Sequence, residues 1–558
     1  MRTRRATCKK ASSWWSRIYI DRPAISTRAR SARRRGSSRR EKEFPMLLNV
    51  DDVRDFNAML KRRTSRYREK LRDWLAPHRL TLREARTHRV LIPMLGVYTP
   101  GWQALPVLSW EFVELTTDQG LTGTGEWWIQ AGIQTRECLE QLRQRPDRNL
   151  CDLDLEEPLF LAWWDLIGQV LGKPLHTLWA EIFEVGFTPP DRVPMAAYTW
   201  QRFADSDGRG QVTLDTWPEF AAGWARRGFP AVKVSMTAYQ PEDHIELIHR
   251  IREAVGPDTE IRIDAHGTWN FQEARRILQA VEDCRLEYIE QPFNSLLPQR
   301  YYPPGELVPQ RDPFCGGFQA EYYFRKMTDL RSHLSTPLSC HWWTPPIVHP
   351  PGVSPMANLW EPNWYMLERY EAADISVPDI WLGPWGLWRL TQLAKFMGMH
   401  VTVHSNFELC LHLAFRAAMV SALVYQPESA GLCLGAAPRV CHAIDNETMQ
   451  VSDDVIEGGQ FDWSGGHVKL SPKPGHGLRL DPERIERYRH TAEAVAMHRE
   501  FARKLYANYL LDRPRRTNQS GWPKFDQRER FDRHTWPYQV SAILGSEEHQ
   551  DIDMELNR

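Results

Sequence analysis

The chain has 558 residues, 42% hydrophobic and 11% aromatic, enough to bury the cores of two or three domains. Its 71 basic and 71 acidic residues cancel, no run of 18 or more apolar residues offers a membrane-spanning helix, and nine scattered cysteines form neither a disulfide framework nor a paired zinc motif. A helical membrane protein and a disulfide-stapled domain are thereby set aside, and the expected setting is reducing and cytoplasmic.

The zero net charge hides an asymmetry. Residues 1–43 carry 15 Lys or Arg against 3 Asp or Glu, leaving 56 basic against 68 acidic residues in the body. The Arg- and Ser-rich leader, residues 1–45, lacks apolar periodicity and is expected to be disordered and without a catalytic role, with Met46 a possible true start. Nucleic acid and membrane are not expected as partners.

Residues 50–87 read as one or two amphipathic helices, with Phe56, Leu60, Tyr67, Leu71 and Leu75 at helical spacing. From about residue 88 strands follow, Arg89 to Pro93 and Val107 to Leu115, and then a glycine-punctuated hairpin through Asp118–Glu126. An apolar helix spans Leu159 to Leu171 and stops at Gly172-Lys173-Pro174. Residues 46–190 are thus expected to form a helical lead-in and an α+β capping domain.

Strands and helices alternate over residues 191–428, with strand ends expected near Lys233, Asp264, Glu290, His341, Asp379 and His404. The longer intervals hold proline-rich loops, 298–313 and 345–362, read as insertions on the rim. Residues 429–510 are expected to return to the cap, and 511–558 to form a polar tail.

The stretch Ile261-Arg262-Ile263-Asp264-Ala265-His266 and the stretch Tyr288-Ile289-Glu290-Gln291-Pro292 are two apolar strands that turn polar at their ends, joined by helical spacing over 272–281. Asp264 and His266 share one strand face, and Glu290 ends the next parallel strand. Two carboxylates and an imidazole at adjacent strand ends is where barrel enzymes carry their chemistry. Phosphate-loop and dinucleotide motifs do not occur, which disfavours nucleotide-dependent functions.

With Trp163-Trp164-Asp165-Leu166-Ile167-Gly168, Val232-Lys233-Val234-Ser235, Ile263-Asp264, Ile289-Glu290-Gln291-Pro292 and Val403-His404-Ser405-Asn406 in this order, the chain resembles the enolase superfamily over roughly residues 88–500. It is most similar to mandelate racemase/muconate lactonizing enzyme-like members, and among them to acid-sugar dehydratases of the glucarate dehydratase kind. The resemblance implies a TIM-like (β/α)7β barrel with an α+β N-terminal capping domain completed by the C-terminal segment.

It also implies a site. Asp264 and Glu290 match the first two metal ligands, and His341 takes the place of the third, where the family carries an acid or asparagine. Mg²⁺ is the expected cofactor, with Mn²⁺ or another ion the alternative if His341 ligates, because imidazole suits softer ions. Lys233 matches an electrophilic lysine, while Ser235 stands where many members have a basic lysine, so His266 is expected to fill that role. His404 matches the family's catalytic histidine, backed by Asp379, for which Asp374 is the competing match.

The function implied is removal of the C2 proton and C3 hydroxyl of an aldonate or aldarate, giving a 2-keto-3-deoxy acid, in a homo-oligomeric lyase. A racemase or epimerase of the same superfamily and a non-catalytic binding protein on the same fold are the alternatives. Trp102, Glu126, Trp127, Trp128, Trp342, Trp343, Trp381 and Trp385 are read either as contacts to distal hydroxyls or as packing between cap and barrel.

Overall fold

The computed structural model describes residues 50–98, 105–128, 132–153, 159–236, 241–265, 269, 271–293, 317–341, 371–378, 383–405, 408–424, 443–498 and 500–501. The expected leader and polar tail, the tip residues Trp102, Trp342, Trp343 and Trp381, and the site residues His266 and Asp379 lie outside them, as do the side chains of Trp127, Trp128 and His341.

The first helix, α1 (Val50–Leu75), carries Asp51 and Asp52 in its first turn and Arg72 in its last, which complements the helix dipole. Its stripe Val53, Leu60, Tyr67, Leu71 and Leu75 is buried. The helix ends before Pro77, and strand β1 begins at Leu82, so the helical reading of residues 82–87 is corrected to strand. Cross-strand pairing decides this stretch. Residues from Leu82 to Tyr98 pair antiparallel with β2 (Leu105–Thr117), and His88 on β1 meets Glu114 of β2 at 2.7 Å.

Strand β3 (Thr122–Trp128) completes the hairpin on β2. Three helices follow, α2 (Gly132–Arg143), α3 (Phe160–Val170) and α4 (Leu175–Ile182), of which α3 packs on β3. Every residue of α3 from Phe160 to Gly168 is buried. Burial of each large apolar side chain there contributes roughly 1.5–3 kcal/mol. The glycines of the hairpin allow that packing: a Cβ on Gly123 would lie 2.1 Å from the Ala162 carbonyl oxygen, so only a bare backbone lets α3 approach.

An α/β unit on a parallel sheet follows. Its strands are β4 (Arg192–Thr199), β6 (Ala231–Ser235), β7 (Glu260–Asp264), β8 (Tyr288–Glu290), β9 (Leu338–His341), β10 (Ile375–Val377), β11 (His400–Val401) and β12 (Ile444–Asn446), while the short β5 (Arg202–Phe203) joins β1. The order is β11-β10-β9-β8-β7-β6-β4-β12, all parallel. Beyond β11, Asp445 N donates to Val403 O and Ser405 N donates to Asp445 O, so β12 is bonded to chain on both its sides.

Helices α5 (Trp217–Arg226), α6 (Pro241–Val255), α7 (Phe271–Ala280), α8 (Gly317–Arg331), α9 (Gly383–Phe396) and α10 (Cys410–Met419) occur between the strands. Residues of β6 are buried throughout, as expected of a parallel strand covered on both faces. The first helix packs on α9, with Phe56 stacked on Phe396 and Tyr67 edge-on to Trp388. Among the described residues no helix is long and apolar enough to cross a membrane.

Past β12 the chain returns to the hairpin region. It forms β13 (His467–Lys469) against β4 and the short α11 (Pro482–Arg487), and Leu91 N donates to Tyr488 O. Asp165 of α3 accepts from the backbone N–H groups of both Thr124 and His476, and His476 Nε2 lies 2.8 Å from Thr124 Oγ1. One buried carboxylate thus ties α3, the hairpin and the C-terminal segment together.

Candidate active site at the strand ends

Register carries the site. Ser235 pairs with Asp264 and Asp264 with Glu290, so β6, β7 and β8 end side by side. Asp264 and Glu290 are the final residues of their strands, and both are buried. His341 is the last residue of β9, two strands from Asp264.

Lys233, two residues before the end of β6, is fully buried. Its Nζ lies 2.7 Å from Glu290 Oε2, 2.7 Å from Asp445 Oδ2 and 3.4 Å from Asp264 Oδ2. Burial works against its charge, but Asp445, Glu290, Tyr288 and Asp264 outweigh it and hold the amine well above the usual lysine range. The group is therefore an ammonium at neutral pH and unsuited to be a base.

Sequence reasoning missed the residues that complete this cluster. Asp445, on β12, is its hub: Oδ1 accepts from Arg262 at 2.7 Å, and Oδ2 accepts from both Lys233 and Tyr288. Arg262 also pairs with Glu287 through Nε at 2.6 Å and Nη2 at 3.1 Å. The Tyr198 hydroxyl donates to Asp264 Oδ2, and the Tyr198 ring faces the Lys233 ammonium at 4.4 Å. Ala443-Ile444-Asp445 repeats the apolar-then-acidic ending of Ile263-Asp264 and Ile289-Glu290, a signal that could have found it.

Asp264, Glu287, Glu290 and Asp445 set four carboxylates against Lys233 and Arg262. A buried excess of carboxylate is costly without further positive charge. Oxygen donors at adjacent strand ends suit a hard divalent ion, so Asp264 and Glu290 fit the metal that the family resemblance implies.

His404 follows β11, is 5% exposed, and its N–H donates to Pro378 O next to the chain that leads to Asp379. The carboxylate near its ring among the described residues is Glu447, with Oε1 3.8 Å from Nε2. Tyr198 and the His404 ring form a T-shaped pair at 5.9 Å between centroids, so one tyrosine neighbours both Asp264 and His404. Asp374, the competitor for the dyad position, begins the opposite end of its strand, where Arg331 holds it and Leu338 N donates to it.

Two further candidates turn out to be packed. Trp385 lies against Trp164 and Phe183, with the Arg68 guanidinium over its face. Glu126 accepts from Leu409 N at 2.5 Å and His412 N at 2.9 Å, so it caps the N-terminus of α10. Asp454 caps the same helix through Cys410 N.

Burial and the neighbouring Asp454 push Glu126 well above the usual carboxylate range, and burial lifts Asp454 to about 6. In the unfolded chain Asp454 ionises near 3.8, so the folded state binds its proton more tightly. Its stabilising contribution is therefore complete below about pH 4, is lost as pH rises through about 6, and is flat above. The loss amounts to about 3 kcal/mol at most. Urea unfolding from pH 4 to 7 is expected to show this slope in the wild type and a flatter one in Asp454→Asn; equal slopes would remove Asp454 from the effect.

Comparison with known proteins places these features. Residues 217–300 match the family model described as enolase C-terminal domain-like. A probable glucarate dehydratase of Streptomyces coelicolor is 24% identical over 335 residues, covering 58% of this chain and 63% of that relative. An arabinonate dehydratase of Saccharolobus solfataricus is 26% identical over 59% of this chain and 70% of that relative. Among solved structures, an enolase from Pseudomonas fluorescens Pf0-1 with bound magnesium, potassium and tartrate superposes with a TM-score of 0.53 at 18% identity, over 74% of this chain and 92% of that one. At such identity the structural likeness speaks for the fold.

Proposed function

We propose that this chain, whose residues 217–300 match the enolase C-terminal domain-like family, is a divalent-metal-dependent hydro-lyase that converts an aldonate or aldarate into a 2-keto-3-deoxy acid. The observation that carries the reading is the pairing of Asp264 with Glu290 at adjacent strand ends, over a buried lysine that remains charged. Dehydratase names among the relatives and a magnesium and tartrate complex among the structural neighbours support it.

The same reading takes the parallel sheet as a barrel. Support comes from β12, which bonds to β4 on one side and to the chain after β11 on the other.

Asp264 and Glu290, with His341 as third ligand, would hold Mg²⁺ or Mn²⁺. When bound, the ion supplies positive charge to a substrate carboxylate and to the enediolate that follows proton loss. Lys233 adds a fixed positive charge beneath Asp264 and Glu290. His266 and His404 divide the proton transfers: one takes the C2 proton, the other protonates the departing C3 hydroxyl, which leaves as water. The resulting enol then ketonises at C2. Asp379 backs His404 in this scheme, and Glu447 is the carboxylate placed near the His404 ring.

Titration with Mg²⁺ and incubation with a panel of aldonates and aldarates test this. One equivalent is expected to bind, with affinity at least about tenfold weaker in Asp264→Asn, and at least one acid should yield a 2-keto product. Neither metal binding nor product would overturn the reading. Exchange of the C2 proton for deuterium without keto product would replace elimination by epimerisation.

A further inference from the structure

A second group of metal-type donors lies away from the strand-end cluster. His249 is on α6, and Asp283 and Cys284 belong to the single helical turn Glu282–Cys284 that precedes β8. Glu290 closes β8 at its far end, so this turn is on the opposite side of the sheet's strand ends from the proposed active site. One donor atom of each of the three residues lies within 4.8 Å of the others.

Hydrogen bonding fixes the histidine's tautomer. His249 Nδ1 is 2.9 Å from the Ile245 carbonyl oxygen, which can only accept, so Nδ1 carries a proton. In the neutral ring Nε2 then presents a lone pair, and it faces Asp283 Oδ1 at 3.2 Å. Two acceptors at that distance call for positive charge, either a second ring proton or a metal ion. With bonds of about 2.0–2.1 Å to each atom, a separation of 3.2 Å subtends an angle of about 100° at the ion, near tetrahedral.

Cys284 supplies the third donor from the buried side, at 2% exposure, while His249 and Asp283 keep the site open to solvent. The turn is held in shape by other means. Arg252 donates from Nε to the Cys284 carbonyl at 2.8 Å, and from Nη1 to Gly256 and Thr259 carbonyls at 2.8 and 2.6 Å. Histidine oriented through its other nitrogen, on a backbone clamped by a neighbouring side chain, is the arrangement that supports bound metals.

We propose that His249, Asp283 and Cys284 form an accessory site for a thiolate-accepting transition ion such as Zn²⁺, with water in the fourth position, which staples α6 to the turn leading into β8. Burial pushes the Cys284 thiol up to about 11, with Asp283 acting in the same direction and Arg252 opposing it. Binding therefore forms a metal–sulfur bond as the thiol proton leaves to solvent, and the two anionic donors neutralise the ion's charge.

Titration of the full chain with Co²⁺ tests the site, because a thiolate ligand gives a near-ultraviolet sulfur-to-cobalt absorption band that an all-oxygen site does not. The band is expected to saturate at one equivalent, to persist in Asp264→Asn, to vanish in Cys284→Ser, and to need about tenfold or more Co²⁺ in His249→Gln. A wild type without the band, or a band that survives Cys284→Ser, would overturn the proposal. His249 is 40% exposed, so His249→Gln with an unaltered circular dichroism spectrum separates ligand loss from misfolding. Persistence of the band in Asp264→Asn keeps the result independent of the strand-end site.

Discussion

Replacing Lys233 by methionine is expected to cost about 3–5 kcal/mol of stability, the range for removing one partner of a buried ionic group. The ammonium is the common neighbour of Glu290, Asp445 and Asp264, and its loss leaves three carboxylates facing one another around an apolar side chain. Against a total stability of roughly 5–15 kcal/mol for a domain, this is a large share. Urea unfolding at pH 7 measures it. The double variant Lys233→Met with Asp445→Asn should recover part of the loss by removing one of the repelling charges. A wild-type midpoint in Lys233→Met would show that the lysine is not the cluster's counter-charge.

The second large effect is on turnover. Substituting asparagine for His404 removes a proton-transfer group while keeping a polar side chain beside Tyr198, and the rate with an active sugar acid is expected to fall by roughly 10² to 10⁴. The melting temperature should change little, because the aromatic and carboxylate neighbours of the ring remain in place. Deuterium exchange at C2 assigns the direction: exchange that survives in His404→Asn makes His404 the acid, and exchange that disappears makes it the base. An unchanged rate would take the residue out of the mechanism.

Asp264 and Glu290 were legible because each ends an apolar run, and a carboxylate after such a run stands out at the end of a buried strand. Lys233 lies two residues before the end of β6 and was singled out by its family resemblance, while its three-carboxylate environment was not legible. Arg262, Tyr198 and Tyr288 escaped notice because they are buried residues within their strands, in the middle of β7, next to the end of β4 and at the start of β8, where periodicity predicts apolar side chains. Their burial is tolerable because carboxylates on or next to other strands pair with the arginine and accept from the two hydroxyls, and sequence periodicity carries no record of those partners. Asp445 was missed for another reason: β12 is three residues long and lies within residues 429–510, the stretch read as the return to the cap. The helical reading of residues 82–87 failed because pairing with β2, a non-local contact, outweighs local helical spacing.

In the sequence Glu126 reads either as a substrate contact or as packing, and among the contacts described it takes the structural role. The helix it caps is nearly 300 residues away in sequence, so that particular demand was invisible locally.

The position of Asp445 has a consequence for biosynthesis. Arg262 and Lys233 leave the ribosome some 180 and 210 residues before the carboxylate that satisfies both of them. Until residue 446 has emerged, the nascent chain holds two cations that lack one of their carboxylate partners and a strand β4 without its neighbour β12. The pairing of β4 with β12 is thus among the last the sheet can make, and that edge of β4 stays open while the rest of the strands are already present.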